Sequence, residues 1–178
     1  MYQQVLQFWF EEIEPKQWWK KDPAFDQLIA SRFGELHARG ARCELYEWRD
    51  SAEGRLAEII LLDQFSRNLY RNSPLAFACD PLALGLAQEA IRAGVEAELT
   101  PVQRSFLYLP FMHSESLAIH QVALQLYERN GLESNLEFER LHKSIIERFG
   151  RYPHRNAVLG RQSTAEELAF LQEPGSSF

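Results

Sequence analysis

At Asp22-Pro23, Asp80-Pro81 and Thr100-Pro101 a proline directly follows a side chain that can cap a helix. Proline is at home at the first helical position, because its missing N–H is one of the donors a helix start leaves unpaired. The Asp or Thr ahead of it accepts from the donors that remain. Each pair therefore opens a helix. After Pro23 the apolar residues Phe25, Leu28, Ile29, Phe33 and Leu36 recur at helical spacing up to Gly40; after Pro81, Leu82, Leu86, Ala87, Ala90 and Ile91 run to Gly94. Thr100 and Gln103 form a capping box for the third, which Pro110 should end or kink near Leu109.

Asp50 with Glu53 reads as a further capping pair, opening a helix through Leu56, Ile59, Ile60, Leu61, Leu62 and Phe65 to about Tyr70. Its middle is apolar nearly all round, the mark of a central, buried helix. Ser114 is expected to cap a helix to Arg129, closed by Gly131. Another runs from Glu133 to Phe149, closed by Gly150, with Phe138, Leu141, His142, Ile145, Ile146 and Phe149 facing inward. Ser163-Thr164 with Glu166-Glu167 offers a capping box to a short last helix. No stretch shows two-residue alternation, so strands are not expected. The pattern predicts an all-α domain of antiparallel helix pairs, about seven to nine helices in number.

With 178 residues the chain suits one domain, assigned to 1–172, with 173–178 as a frayed tail. The net charge of −6 and a pI near 5.4 argue against nucleic acid or an anionic membrane as partner. Ile59-Ile60-Leu61-Leu62 is far too short an apolar run to span a bilayer, and Met1 to Phe10 lacks the basic start of a signal peptide. A cytoplasmic protein is the expectation. Cys43 and Cys79 have no metal-finger spacing and read as small core residues.

Polar residues intrude where the helix pattern asks for core. Asp63 falls on the face of Leu56, Ile59 and Ile60, with Arg67 four residues on, and Gln64, Asn68 and Arg71 form the adjoining stripe. A buried carboxylate survives only when paired, so Asp63 should meet Arg67 or an arginine from 148–161. Such a pair can simply bolt helices together, or it can belong to a site. His113 and Glu115 sit at a proline-broken junction, where a histidine suits acid–base work near neutral pH. Between Arg140 and Arg161 six basic residues face one acid, Glu147; Arg151, His154, Arg155 and Asn156 lie in its loop. Arginine forks suit carboxylate or phosphate, although a solvated basic loop would have the same composition.

Standard catalytic, nucleotide-binding and metal signatures are absent. Glu139-x-x-His142 is half of a di-iron motif without its second half, and His113-x-Glu115 lacks the Pro-Cys-x-x-Cys of a zinc deaminase. Neither a metal nor a cofactor is expected.

Long segments carry a family resemblance. Leu62 to Asn68 with Ala76 to Asp80, Phe106 to Glu115, and Phe149 to Thr164 resemble the bacterial family named domain of unknown function 924, as do Phe8-Trp9-Phe10 and the Trp18-Trp19 to Phe25 stretch. Ser66 and Tyr152 are mild departures from that pattern. The resemblance spans nearly the whole chain. It implies a right-handed superhelix of stacked helix pairs similar to tetratricopeptide repeats, and no established activity. Two functions remain open. One is a binding or scaffold domain whose groove takes a small anion or an acidic peptide through Asp63, Arg67, Asn68, Arg71, His113, Glu115, Arg151, His154, Arg155 and Asn156. The other is an enzyme for an anionic metabolite, with His113, His154 and Asp63 as acid–base candidates.

Overall fold

Helix α3, Ala52–Ile60, is the axis of the molecule: Leu56, Ile59 and Ile60 on it have no exposed surface, nor have Leu61, Leu62 and Phe65 just beyond its end. The coordinates are a computed structural model that describes residues 1–177. Before α3 come α1, Tyr2–Gln7, which runs into a π turn at Phe8–Glu12, then a 3-10 turn at Pro15–Trp19, and α2, Pro23–Ala41. Phe8 and Trp9 pack with Phe25, Phe33 and Phe65 into an aromatic cluster between these helices, with ring centroids 5.0 to 6.5 Å apart.

The central helix does not run on unbroken. Between α3 and α4, Ser66–Leu69, the backbone widens into a π turn over Leu61–Phe65. The Ser66 hydroxyl donates to the Leu62 carbonyl at 2.6 Å and meets His37 Nε2 at 2.7 Å, so a side chain shares an acceptor with the backbone ladder there. That widened turn carries Asp63 and Gln64.

Then follow α5, Asp80–Arg92; α6, Pro101–Met112; α7, Leu117–Asn130; α8, Glu133–Phe149; and α9, Ala165–Phe170. Taking α3, the π turn and α4 as one rod, the described residues form eight helices and no strand. Helices α5 to α8 pack each against the next. Gly131 and Gly150 close α7 and α8 at φ of 76° and 67°, where a Cβ would be strained. No helix among the described residues is long and apolar enough to cross a membrane.

Several local expectations are corrected. Ser51, not Asp50, caps α3, by accepting from the Gly54 N–H. Asp80 lies inside α5 and caps nothing, because its carboxylate is taken by Arg67. Pro110 does not end α6, which continues to Met112; only two helical residues follow it, and the proline is itself buried. Helix α7 starts at Leu117, since the carbonyl of Ser114 is engaged by His120 at 2.8 Å. On α8 Phe138 and Leu141 are 56% and 59% exposed, so its apolar stripe is narrower than its spacing implies. Cys43 is exposed and Cys79 half-buried. In residues 173–177 the Glu173 N–H donates to Phe170 O at 2.9 Å, the Ser176 N–H to Glu173 O at 3.3 Å and the Ser176 hydroxyl to Leu171 O at 3.2 Å. The last residue of that tail, 178, lies outside the described residues.

Candidate functional site

Asp63 has 1% of its surface exposed and is fully engaged. His113 Nδ1 lies 2.7 Å from Oδ1, the Gln64 amide donates to Oδ2 at 2.6 Å, and Arg67 Nη1 sits 3.4 Å from Oδ1. Burial alone would raise this carboxyl, but His113 and Arg67 outweigh it and hold Asp63 well below the usual carboxylate range. His113 is pushed the other way: burial first, then the Arg67 charge, depress it against the pull of Asp63. The pair is therefore a neutral imidazole donating from Nδ1 to a carboxylate, which leaves Nε2 as an acceptor.

His113 caps the C-terminus of α6 and is gripped from both sides. The Tyr152 hydroxyl donates to Met112 O at 2.5 Å, and His120 Nε2 donates to Ser114 O while its Nδ1 meets Glu139 at 2.8 Å. His120 and Glu139 have no exposed surface. This buried brace ties α7 and α8 to the junction that presents His113.

Arg67 makes a two-pronged contact with Asp80, at 2.9 and 3.0 Å, and also donates to Asp63 O at 2.8 Å. Arg155, on a 3-10 turn at Pro153–Arg155, also approaches Asp80 but stays 3.5 Å away. Its guanidinium stacks on Phe77 and Tyr152, 4.6 Å from each ring centroid. Arg155 is 5% exposed, its Nε is buried without an acceptor, and its guanidinium makes no hydrogen bond among the described residues. Burial and the Arg67 charge bring its pKa down to about 10.

These groups open onto a cleft of about 460 Å³. Of the sequence candidates, Arg67, Asn68, Arg71, His113, His154 and Arg155 line it, and Asp63 lies directly behind His113. Arg71 and Asn68 are tied to Asp26 on α2, with contacts of 2.6 to 2.8 Å. The other three candidates are off the cleft. Glu115 takes Arg161 at 2.6 and 2.9 Å and the Tyr152 N–H at 2.7 Å. Arg151 is held by Glu167 at 2.6 and 2.8 Å, and Asn156 by Ser163 at 3.0 Å. Those contacts fold the loop that carries His154 and Arg155 to the cleft.

The remaining wall includes residues that no sequence signal assigned to a site, among them Trp18, Trp19, Lys20 and Lys21 before α2, Phe77 before α5, and Phe138 and His142 on α8. Burial lowers His142 to about 3, and burial with the Arg155 charge does the same to His154. Among the described residues no Asp or Glu lines the cleft.

The model of the bacterial protein family of unknown function DUF924 matches residues 5–175. The chain belongs to this family. A solved structure of this kind, the protein of unknown function ATU0120 from Agrobacterium tumefaciens, is similar to it at 41% identity. Each chain is covered over 96% of its length, with a TM-score of 0.91. No curated protein matches.

Proposed function

We propose that this DUF924 protein is a helical binding domain whose cleft takes a small anion. The observation that carries it is Arg155, a guanidinium 5% exposed whose donors have no hydrogen-bond acceptor among the described residues, facing a cleft with no acidic residue in its described lining. Buried polar groups in folded proteins are nearly always hydrogen-bonded, so a buried fork left open has its acceptor in a ligand. A volume of about 460 Å³ suits a small molecule better than an acidic peptide. The packing of α5 to α8 in sequence, each against the next, supports a tetratricopeptide-like stack as the scaffold. Two unbridged cysteines suit a reducing compartment such as the cytoplasm.

Thermal melts with a panel of small carboxylates and phosphates test this. A bound anion at 100 times its Kd adds about 2.7 kcal/mol of stability, and Arg155→Gln should abolish the gain. A panel that leaves the melting temperature unchanged overturns the reading.

A second reading rests on the Asp63–His113 contact of 2.7 Å: a buried carboxylate orienting a neutral histidine is the arrangement of a general base. In that case a turned-over anion requires His113, and His113→Gln would retain binding while losing turnover.

A further inference from the structure

The cleft combines charges whose balance can be counted with two aromatic rings that stay largely open to solvent. Asp63 and Asp80 are balanced by Arg67 and Arg155 around a neutral His113. Outside that cluster, Arg71 is neutralised by Asp26 and Lys20 by Asp22 at 3.2 Å. Lys21, at the rim, is the one lining cation for which the described residues hold no ion pair. The carboxylates stand behind the cleft and the cations in front of it. A ligand therefore meets donors, but the surplus charge that it neutralises is about one unit.

The walls are built for flat apolar groups. Trp19 stacks one face on Phe106 at 6.0 Å with the ring planes only 5° apart, yet stays 60% exposed. Phe138 on α8 is 56% exposed, and both line the cleft. Exposed aromatic rings at the rim of a cationic cleft point to a ring-bearing ligand, because stacking on an already ordered ring costs little side-chain entropy.

Building on the anion-binding reading, we infer that the ligand is an aromatic carboxylate, its monoanionic head on Arg155 and its ring system against Trp19 and Phe138. A carboxylate matches the two-pronged donor geometry of one guanidinium, and its single charge matches the surplus. A phosphate monoester would bring a second charge that only the Asp-balanced cluster could meet.

Calorimetry on the full chain with four probes decides it: acetate, 2-naphthoate, 2-naphthyl phosphate and neutral 2-naphthylmethanol. The expected order places 2-naphthoate at least about tenfold tighter than each of the others. Trp19→Ala, at an exposed position, should bring 2-naphthoate toward acetate, and Phe138→Ala should do the same from the α8 side. Arg155→Lys should weaken 2-naphthoate by about tenfold or more, because a lysine cannot form the fork. Equal binding of acetate and 2-naphthoate overturns the aromatic inference and leaves the anion-binding reading standing. Tighter binding of the phosphate overturns the carboxylate head. Equal binding of 2-naphthylmethanol, or no binding of any anion, overturns both.

Discussion

His113 and Asp63 meet at 2.7 Å across 50 residues of sequence, joining the end of α6 to the π turn of the central helix behind the cleft. Asp63 also holds Gln64 and neighbours Arg67, so removing its carboxylate leaves His113 and Gln64 short of an acceptor and Arg67 short of a countercharge. Asp63→Ala is expected to cost on the order of 3 to 5 kcal/mol in urea unfolding. The folded pKa of Asp63 lies below its unfolded value near 3.9, so its contribution is complete above about pH 4 and is lost as pH falls toward the folded value. A loss under about 1 kcal/mol at pH 7 would place Asp63 in the range of a surface pair and contradict this geometry.

Histidines set a second, earlier acid limb. His37, His113, His142 and His154 are all depressed, each chiefly by burial, with His142 and His154 down to about 3. Unfolded histidines titrate near 6.5, so between there and about pH 3 the unfolded chain binds protons that the native chain refuses. Stability therefore falls as pH drops from 7 to 5, by roughly 1 to 2 kcal/mol for each strongly depressed histidine. His142→Gln, which can still donate to the Phe138 carbonyl, should flatten that slope. Equal unfolding free energies for the native chain at pH 7 and 5 would contradict it.

Two arginines on the same aspartate should behave oppositely. Arg67 satisfies both oxygens of Asp80 and the Asp63 carbonyl, so Arg67→Met leaves the half-buried Asp80 carboxylate without a hydrogen bond and takes a countercharge from Asp63, and should cost about 3 to 5 kcal/mol. Arg155 makes no such bonds among the described residues. A methionine can fill its place between Phe77 and Tyr152, so Arg155→Met should change stability by no more than about 1 kcal/mol while removing anion binding. Melts of both variants, with and without ligand, separate the two roles.

The sequence carried most of the helix plan because caps, prolines and apolar spacing are local signals. Helix α8 spans Glu133–Phe149, as its pattern reads, and Asp63 is as buried as its stripe implies. What stayed illegible depends on contacts far apart in the chain. Asp80 beside Pro81 has every local mark of a cap, and only the approach of Arg67 redirects it. Phe138 follows the inward spacing of His142, yet its ring is 56% exposed on the wall of the cleft. Arg151 and Arg155 are four residues apart in one basic loop, yet Arg151 is forked onto Glu167 of α9 while Arg155 comes no closer than 3.5 Å to Asp80, a difference set by partners far away in the sequence.

Gly54 offers the sharpest steric test of the central helix. It sits in the first turn of α3, where the chain folds so tightly onto the preceding 3-10 turn, Tyr46–Asp50, that an added Cβ would lie 2.0 Å from the carbonyl oxygen of Trp48. That neighbour is backbone and cannot swing away, so Gly54→Ala must displace either the turn or the start of α3. The displacement would also strain the Ser51 cap, whose hydroxyl accepts from the Gly54 N–H at 3.1 Å. A cost of about 2 kcal/mol or more is expected, beyond anything helix propensity could return. Gly34 is the matched control. It lies within α2, and a Cβ added there would meet nothing within 4 Å, so Gly34→Ala should raise stability by about 0.5 to 1 kcal/mol through the unfolded-state entropy it removes. Urea unfolding of the two variants should move in opposite directions, and a Gly54→Ala protein as stable as Gly34→Ala would mean that α3 does not begin against Trp48.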